Sequence, residues 1–561
     1  MKQKENLRAV LIYVFFLFLF LSLSARIIYL QLFRKEFLRN LAASQHYRVI
    51  PLEGNRGTIY DRNGRVLVTG INCYSVFADP ALVQNAGLTA SQLAPCVGVP
   101  EKELIQKLVR KSRFVWIKRK MTWDEKQKIK ALKLKGICFL REKKRFYVNG
   151  GLGRSILGVA DIDNKGLDGL ELVYDKYLRG KKGRVKVLTD SASRQVLLTP
   201  QIISPRDGED IVLTIDSQVQ YIAESSLEET VKKYNAAGGS VIVMDAATGE
   251  ILALANYDNG SENSKVTPRN RAVCDMFEPG STFKMVTLLA AVNKKLFADN
   301  DKFFCENGSY KVPGTTLHDW KPYGTLTFRE VFMRSSNIGV AKIATAVGKN
   351  DTYNYIRKMG FGRKTGIDLP GEVAGDVKSI NRWSNTTPYI IPIGQEIGVT
   401  LVQMARAFAV VANGGMVVKP HIVKRLGSRG FYRDVEAQSQ RIFPVQDMER
   451  AKNILEAVVK DGTGKGAFIE GLKIGGKTGT AQKYDPAIGT YSATKYRASF
   501  MGFIAEFTRP LVIAVTVDEP KQSHFGGVVA APLFKQVAQK TVLYIESEKA
   551  VASRKGYDEA R

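Results

Sequence analysis

Gly471-Leu-Lys-Ile-Gly-Gly-Lys477-Thr478-Gly479-Thr480 reads two ways, and the choice settles the fold. As G-x-x-x-x-G-K-[ST] it is a phosphate-cradling loop, and Val512-Ile-Ala-Val-Thr-Val-Asp518-Glu519 imitates the apolar strand and acid that would hold magnesium. Such a loop needs a helix starting at the Lys-Thr, so that N-terminal amides meet the phosphate. Here Gly479, Asp485-Pro486 and Gly489 interrupt any helix downstream of Thr478, and the chain ends at Arg561, too soon for the usual parallel sheet. The alternative is a strand. Thr478 and Thr480 then share one face by alternation, and Gly479 leaves room for an extended peptide to pair with the strand edge. We read Lys473–Thr480 as a strand, with Lys477 as a cation beside it.

Upstream stands Glu278-Pro-Gly-Ser-Thr-Phe-Lys284, followed by the apolar run Met285-Val-Thr-Leu-Leu-Ala-Ala-Val292. Pro279 and Gly280 punctuate, and a helix follows, so Ser281 and Lys284 at i and i+3 share a face within hydrogen-bond reach. Ser281 also lies near the helix N-terminus, where the dipole favours developing negative charge. A serine hydroxyl is a poor nucleophile until a neighbouring base takes its proton. Lysine can be that base only when neutral, so burial or a second cation must lower its pKa from ~10.4. Lys477 is the candidate second cation, and it would also attract a substrate carboxylate. Between these stretches, Arg334-Ser-Ser-Asn337 opens another helix and supplies a hydroxyl and an amide. Ser336 alone would serve as an ordinary helix N-cap.

The rest of the second half alternates like an α+β domain around one antiparallel sheet. Asp210–Asp216 reads as a strand, Ser217–Tyr234 as a helix capped by Ser217, and 239–245 with 250–256 as a β-hairpin. Ser499–Ala505 and Leu511–Val517 form another strand pair. Residues from about His46 to Pro205 read as strand pieces, with a basic helical patch near Trp123–Leu134.

The 561 residues suggest about three domains. Hydrophobic residues at 45% and charged residues at 24% exclude a disordered or fibrous chain. Five cysteines without a CxxC pair argue against a disulfide scaffold or zinc ribbon, and four scattered histidines without HExxH give metal hydrolysis no support. The formal charge of +29 is uneven: Glu101–Gly150 holds 17 Lys+Arg against 5 Asp+Glu. That surplus fits an anionic polymer, a membrane surface or a plain solvated face. No nucleic-acid-binding signature accompanies it.

Behind Lys2, Lys4 and Arg8, Ala9–Ala25 is uncharged and mostly large and apolar, and apolar character resumes after Arg26. Seventeen residues is the short end of a membrane span, which Ile27–Leu30 extend while Arg26 snorkels. A cleaved secretory signal is the rival, with Ser22-Leu23-Ser24 as its small-residue site, but the apolar stretch outruns a ~7–15-residue signal core. Basic residues flank both sides, Arg34, Lys35 and Arg39 among them, and the short tail favours a cytoplasmic N-terminus. The bulk of the chain then lies outside the cytoplasm, without ATP.

Ser281-x-x-Lys284, Ser335-x-Asn337 and Lys477-Thr478-Gly479, in that order, resemble the signature of β-lactamases and penicillin-binding proteins. Ser335-Ser-Asn337 in place of S-D-N is more similar to the penicillin-binding proteins. Arg56-Gly-Thr-Ile-Tyr-Asp-Arg-Asn-Gly64 and Gly166-Leu-Asp-Gly-Leu-Glu171 resemble pedestal motifs of the class B branch. Asn270-Arg-Ala272, Gly394–Thr400 and Asn413-Gly-Gly415 resemble its later landmarks. Gly324–Glu330 and Leu317-His-Asp-Trp320 look more like the division-specific (septal) branch than the elongation branch.

The resemblance implies a membrane-anchored peptidoglycan D,D-transpeptidase: tail 1–8, anchor 9–31, strand-rich non-catalytic pedestal 32–205, transpeptidase domain 206–545, tail 546–561. No room is left for C-terminal repeats or an N-terminal glycosyltransferase. It implies that Ser281 attacks the penultimate D-alanine of a stem pentapeptide while Lys284 takes its proton. Ser335 relays a proton to the departing D-alanine, and Asn337 positions the substrate. Thr478, Gly479 and Thr480 hold the peptide terminus beside Lys477, and the amides of Ser281 and Thr480 form an oxyanion hole. It implies no cofactor or metal, acylation by β-lactams, and a SEDS-family glycosyltransferase with other divisome proteins as partners. An elongation-type enzyme, or a penicillin-binding sensor or hydrolase, would carry the same acyl-serine site.

Overall fold

A computed structural model describes residues 2–38, 47–52, 54–189, 195–260, 269–428, 430–485 and 489–559. Expectations touching Arg39, His46 and Pro486 lie outside them. The chain forms two compact units, one of residues 1–55 and 180–208, the other of 56–179 and 209–561.

In the first unit a single helix spans Lys2–Phe33. Its stretch Asn6–Phe33, 28 residues, is long and apolar enough to cross a membrane, and none of that apolar surface is buried. At ~1.5 Å per residue it is about 42 Å long, more than the ~30 Å hydrocarbon core requires. The guanidinium of Arg26 lies 5.5 Å from the Tyr29 ring centre, so this charge folds along the helix surface. The unit also holds a three-stranded antiparallel sheet, ordered 47–52, 183–189, 195–203.

The second unit is built on a five-stranded antiparallel sheet in the order 251–258, 238–245, 511–518, 490–504, 474–485. Both expected strand pairs are there. Strand alternation explains its two covers: Ile242 and Met244 join one hydrophobic cluster, while Val241 and Val243 join the other on the opposite face. The first cluster includes helix Leu401–Ala412, all twelve residues buried, and the helix Lys284–Asn293. The second includes helix Ser217–Lys233 and the start of helix Gly526–Glu559, which runs on past residue 545. The sheet is thus sandwiched, which is why its inner strands read as continuous apolar runs.

The cap of helix Ser217–Lys233 corrects an expectation. Asp216, not Ser217, is the N-cap; its carboxylate accepts from the amides of Gln218 and Val219. Ser217 instead donates its hydroxyl to Asp61 at 2.7 Å.

A seven-stranded sheet ties residues 59–147 to strands 210–213, 423–428 and 431–434. Beside it the two pedestal motifs meet. Glu171 is fully buried and accepts from Arg56 Nε at 2.5 Å and from Arg145 Nε at 2.6 Å. Arg56 also reaches Asp175 at 2.6 Å. Removing Glu171 would take its carboxylate from buried Arg145, while Arg56 keeps Asp175, at a cost of about 3–5 kcal/mol. Part of the basic surplus of 101–150 is therefore internal: Arg145 is buried and Arg119 pairs with Glu142 and Asp163. The basic helical patch forms a helix at Trp123–Ala131, with a Thr122/Glu125 capping box.

Candidate active site

The strand Ile474–Asp485 settles the double reading of Lys477-Thr478. The chain stays extended to Asp485, so no helix N-terminus faces Thr478 and no phosphate loop forms. The strand lies at the edge of the five-stranded sheet, paired on one side with 490–504. Among the described residues no strand pairs with its other edge, the arrangement an added strand can use.

Ser281 sits in a 3-10 turn, Gly280–Phe283, that runs directly into helix Lys284–Asn293. The turn is clamped from two sides. Gly280 N donates to Gly394 O at 3.1 Å, and a side chain at Gly394 would lie 2.1 Å from Gly280 O. On the other side the turn packs against the edge strand, and here Gly479 has a different reason from the expected one. A Cβ at Gly479 would meet Ser499 Oγ at 2.3 Å and Pro279 O and Thr282 Cγ2 at 2.9 Å. The missing side chain makes room for the turn carrying Ser281 rather than for an incoming peptide.

Lys284 is completely buried. Its ammonium donates to Ser335 O and Asn337 Oδ1, both at 2.7 Å, and to Ser335 Oγ at 3.3 Å. Among the described residues Ser281 and Lys284 are not hydrogen-bonded to each other, although sequence spacing places them on one face. Two oxygens of Ser335 and one of Asn337 hold the amine instead.

Lys477, 1% exposed, donates to Ser335 Oγ at 2.9 Å and to Thr478 O at 3.2 Å. The Ser335 hydroxyl oxygen therefore lies between two buried lysines. Ser335 reaches that place by adopting a left-handed conformation, φ +60°, as the C-cap of helix Phe328–Arg334. For a residue with a side chain this costs about 1–2 kcal/mol. Ser336 then caps helix Asn337–Val347 by accepting from Gly339 N at 2.9 Å, so the ordinary cap and the chemical motif coexist.

Burial pushes the Lys284 amine down to about 7, opposed by the negative charge of Asp319. Burial also holds Lys477 well below the usual lysine range, and repulsion from Lys284 adds to it. Of the two expected causes, burial is the larger for both lysines, and the repulsion between the two amines is mutual. Two ammonium charges sharing one hydroxyl in a dry site cannot both persist near neutrality.

Thr478 and Thr480 keep the expected common face. Thr478 Oγ1 lies 2.9 Å from Thr463 Oγ1, and Gly526 N donates to Thr480 Oγ1 at 3.0 Å. Sequence reasoning gives no reason to single out Thr463; Asp461-Gly-Thr-Gly464 shows only turn residues after a helix. Nor does it single out Asp319 as a site residue. The Asp319 carboxylate binds Ser336 Oγ at 2.7 Å and the amides of Asn337 and Ile338. Hydrogen bonds thus join Lys284, Ser335, Asn337, Lys477 and Thr478 in one network, while Gly479 and Thr480 lie against the turn that carries Ser281.

The chain is similar to known proteins over most of its length. The penicillin-binding protein dimerisation domain matches residues 51–213, and the penicillin binding protein transpeptidase domain matches residues 239–539. Stage V sporulation protein D of Bacillus subtilis is 35% identical over 95% of this chain and 85% of its own length. Peptidoglycan D,D-transpeptidase FtsI of Escherichia coli K12 is 30% identical over 91% of this chain and 87% of its own. Penicillin-binding protein 3 of Mycobacterium tuberculosis, solved with aztreonam, superposes with a TM-score of 0.69 at 28% identity, covering 90% of this chain and 98% of that one. The chain belongs to the class B penicillin-binding proteins and is a peptidoglycan D,D-transpeptidase, with a dimerisation-type domain ahead of its transpeptidase domain.

Proposed function

We propose that the chain works through an acyl-enzyme on Ser281. Neutral Lys284 takes the Ser281 proton as the oxygen attacks the penultimate D-alanine carbonyl of a stem pentapeptide. The C–N bond to the terminal D-alanine breaks, and the proton passes by way of Ser335 to that leaving amine. An amine of a second strand then attacks the ester; its C–N bond forms, the Ser281 C–O bond breaks, and a proton returns to Ser281. Asn337 positions the peptide, while Thr478, Gly479 and Thr480 hold its end beside Lys477. A bound carboxylate would favour the protonated form of Lys477. The amides of Ser281 and Thr480 stabilise the oxyanion, worth about 10²–10³ in rate per donor. The observation carrying this reading is the buried Lys284–Ser335–Lys477 chain of contacts beside an open sheet edge.

A β-lactam, with its strained amide and carboxylate, acylates the same oxygen. Incubated with labelled penicillin in detergent, the full chain takes one covalent adduct, and peptide mapping by mass spectrometry places it on Ser281. An adduct on another residue, or none, overturns the assignment.

We further propose an anchor at residues 9–31 with residues 1–8 in the cytoplasm, the pedestal and transpeptidase domains outside, and a septal role beside a SEDS-family glycosyltransferase and other divisome proteins. The Leu317–Trp320 segment and the FtsI relative support the division branch. The relative named for stage V of sporulation supports a second reading, confined to spore formation. Depletion during growth separates these: filamentous cells are expected, whereas round cells, or normal growth with failed spores, would refute the division role.

A further inference from the structure

The segment His318-Asp319-Trp320 does nothing in the chemistry above, yet three consecutive residues of it grip the turn that carries Ser335 and Asn337. His318 O accepts from Asn337 Nδ2 at 2.8 Å. Trp320 Nε1 donates to Arg334 O at 3.0 Å. Between them Asp319 uses both oxygens: one accepts the Ser336 hydroxyl at 2.7 Å, the other the backbone amides of Asn337 and, at 3.2 Å, Ile338. The grip is itself anchored. The strand ending at His318 pairs with Ser309–Val312, Leu317 is buried, and Asp319 N donates to Gly308 O at 3.1 Å.

That turn has reason to need outside support. Ser335 is left-handed, a C-cap held by Ser335 N to Phe332 O at 3.2 Å and Ser336 N to Val331 O at 3.0 Å, and those local bonds do not reach Asn337. The first amides of helix Asn337–Val347 have no partners within the helix, and a carboxylate placed there satisfies them and suits the helix dipole. Released from Asp319, the turn would relax, and Ser335 Oγ, Ser335 O and Asn337 Oδ1 would move together. Those three atoms are the partners described for Lys284 Nζ.

We propose that Asp319 is a positioning residue for acyl transfer: its carboxylate fixes the Ser335–Asn337 turn, and through that turn aligns both lysines with Ser281. The proposal rests on the acyl-serine reading above. Asp319 reaches no reacting atom; it acts through Ser336 and two backbone amides. Its charge also touches the chemistry at a distance. The groups facing Lys284 are Ser335 and Asn337 from the turn, Lys477 from the edge strand, and Asp319, whose charge opposes the effect of burial on the Lys284 amine. Cys305 and Tyr323, both pushed up chiefly by burial, are pushed up further by Asp319.

The test measures the second-order rate of acylation by labelled penicillin across pH for full-length Asp319→Ala and Asp319→Asn, with thermal melting of each. Asp319→Ala is expected to melt within a few degrees of wild type and to acylate on the order of 10²-fold more slowly, the scale of a misplaced catalytic group. Asp319→Asn keeps an oxygen for the amides but loses the anion that favours the Lys284 proton, so the acid limb of its profile moves to lower pH. A purely structural role would leave that limb in place. Asp319→Ala acylating within roughly threefold of wild type, or an unmoved limb in Asp319→Asn, overturns the proposal. If wild type itself takes no adduct on Ser281, the acyl-serine reading has failed instead.

Discussion

Ser281→Ala takes no covalent label from penicillin and loses cross-linking on the order of 10⁶-fold, the scale seen when a serine acyl-transfer enzyme loses its nucleophile. The substitution removes one oxygen from a half-buried position in a turn whose shape is set elsewhere. Gly280 N still bonds Gly394 O, Thr282 Oγ1 still donates to Pro279 O at 2.7 Å, and the helix behind stays packed from Lys284 to Val292. Melting temperature should therefore stay within about two degrees, since no cavity or unpaired group is created. Retained labelling would dismiss Ser281, and loss of label with a large drop in melting temperature would show that the turn, not the oxygen, had been removed. Reversible binding of penicillin, read by competition, should survive because Lys477, Thr478 and Thr480 are untouched.

How much of this site is legible in the sequence depends on the range of each interaction. Ser281 and Lys284 are legible because their spacing is local to one helical turn. The strand at Lys477 is legible because Gly479 and Asp485-Pro486 cannot continue a helix. Sheet membership of 238–245 and 511–518 follows from their unbroken apolar runs, which a strand buried on both faces requires. Asp319 and Thr463 are not legible, because an acid in a loop and a threonine among glycines look the same whether they face solvent or a catalytic turn. The left-handed Ser335 is equally hidden: it is held locally as the C-cap of its helix, by Ser335 N to Phe332 O and Ser336 N to Val331 O, but no glycine or asparagine stands there to announce it. The reason for Gly479 is misread on the same ground: sequence shows that space is needed, not which neighbour fills it.

On the proposed mechanism, Lys284 should set the pH dependence of the reaction. Its amine must be neutral to accept the Ser281 proton, and burial places its pKa at about 7. The neutral fraction is about one half at pH 7 and falls roughly tenfold for each pH unit below that. The second-order rate of penicillin acylation should therefore rise with unit slope from about pH 5, bend near pH 7 and level off above about pH 8. Lys284→Met removes the base while roughly preserving volume, and should cost about 10²–10⁴ in rate and abolish the acid limb. Lys284→Arg supplies the sharper argument. It restores a donor for Ser335 O and Asn337 Oδ1, but a guanidinium, with a pKa above about 12, stays charged and cannot take a proton from serine. If Lys284 served only to tether the turn, arginine would rescue much of the rate. If it is the base, arginine should be as inactive as methionine at every pH from about 5 to 9, and a flat wild-type profile over that range would refute the role.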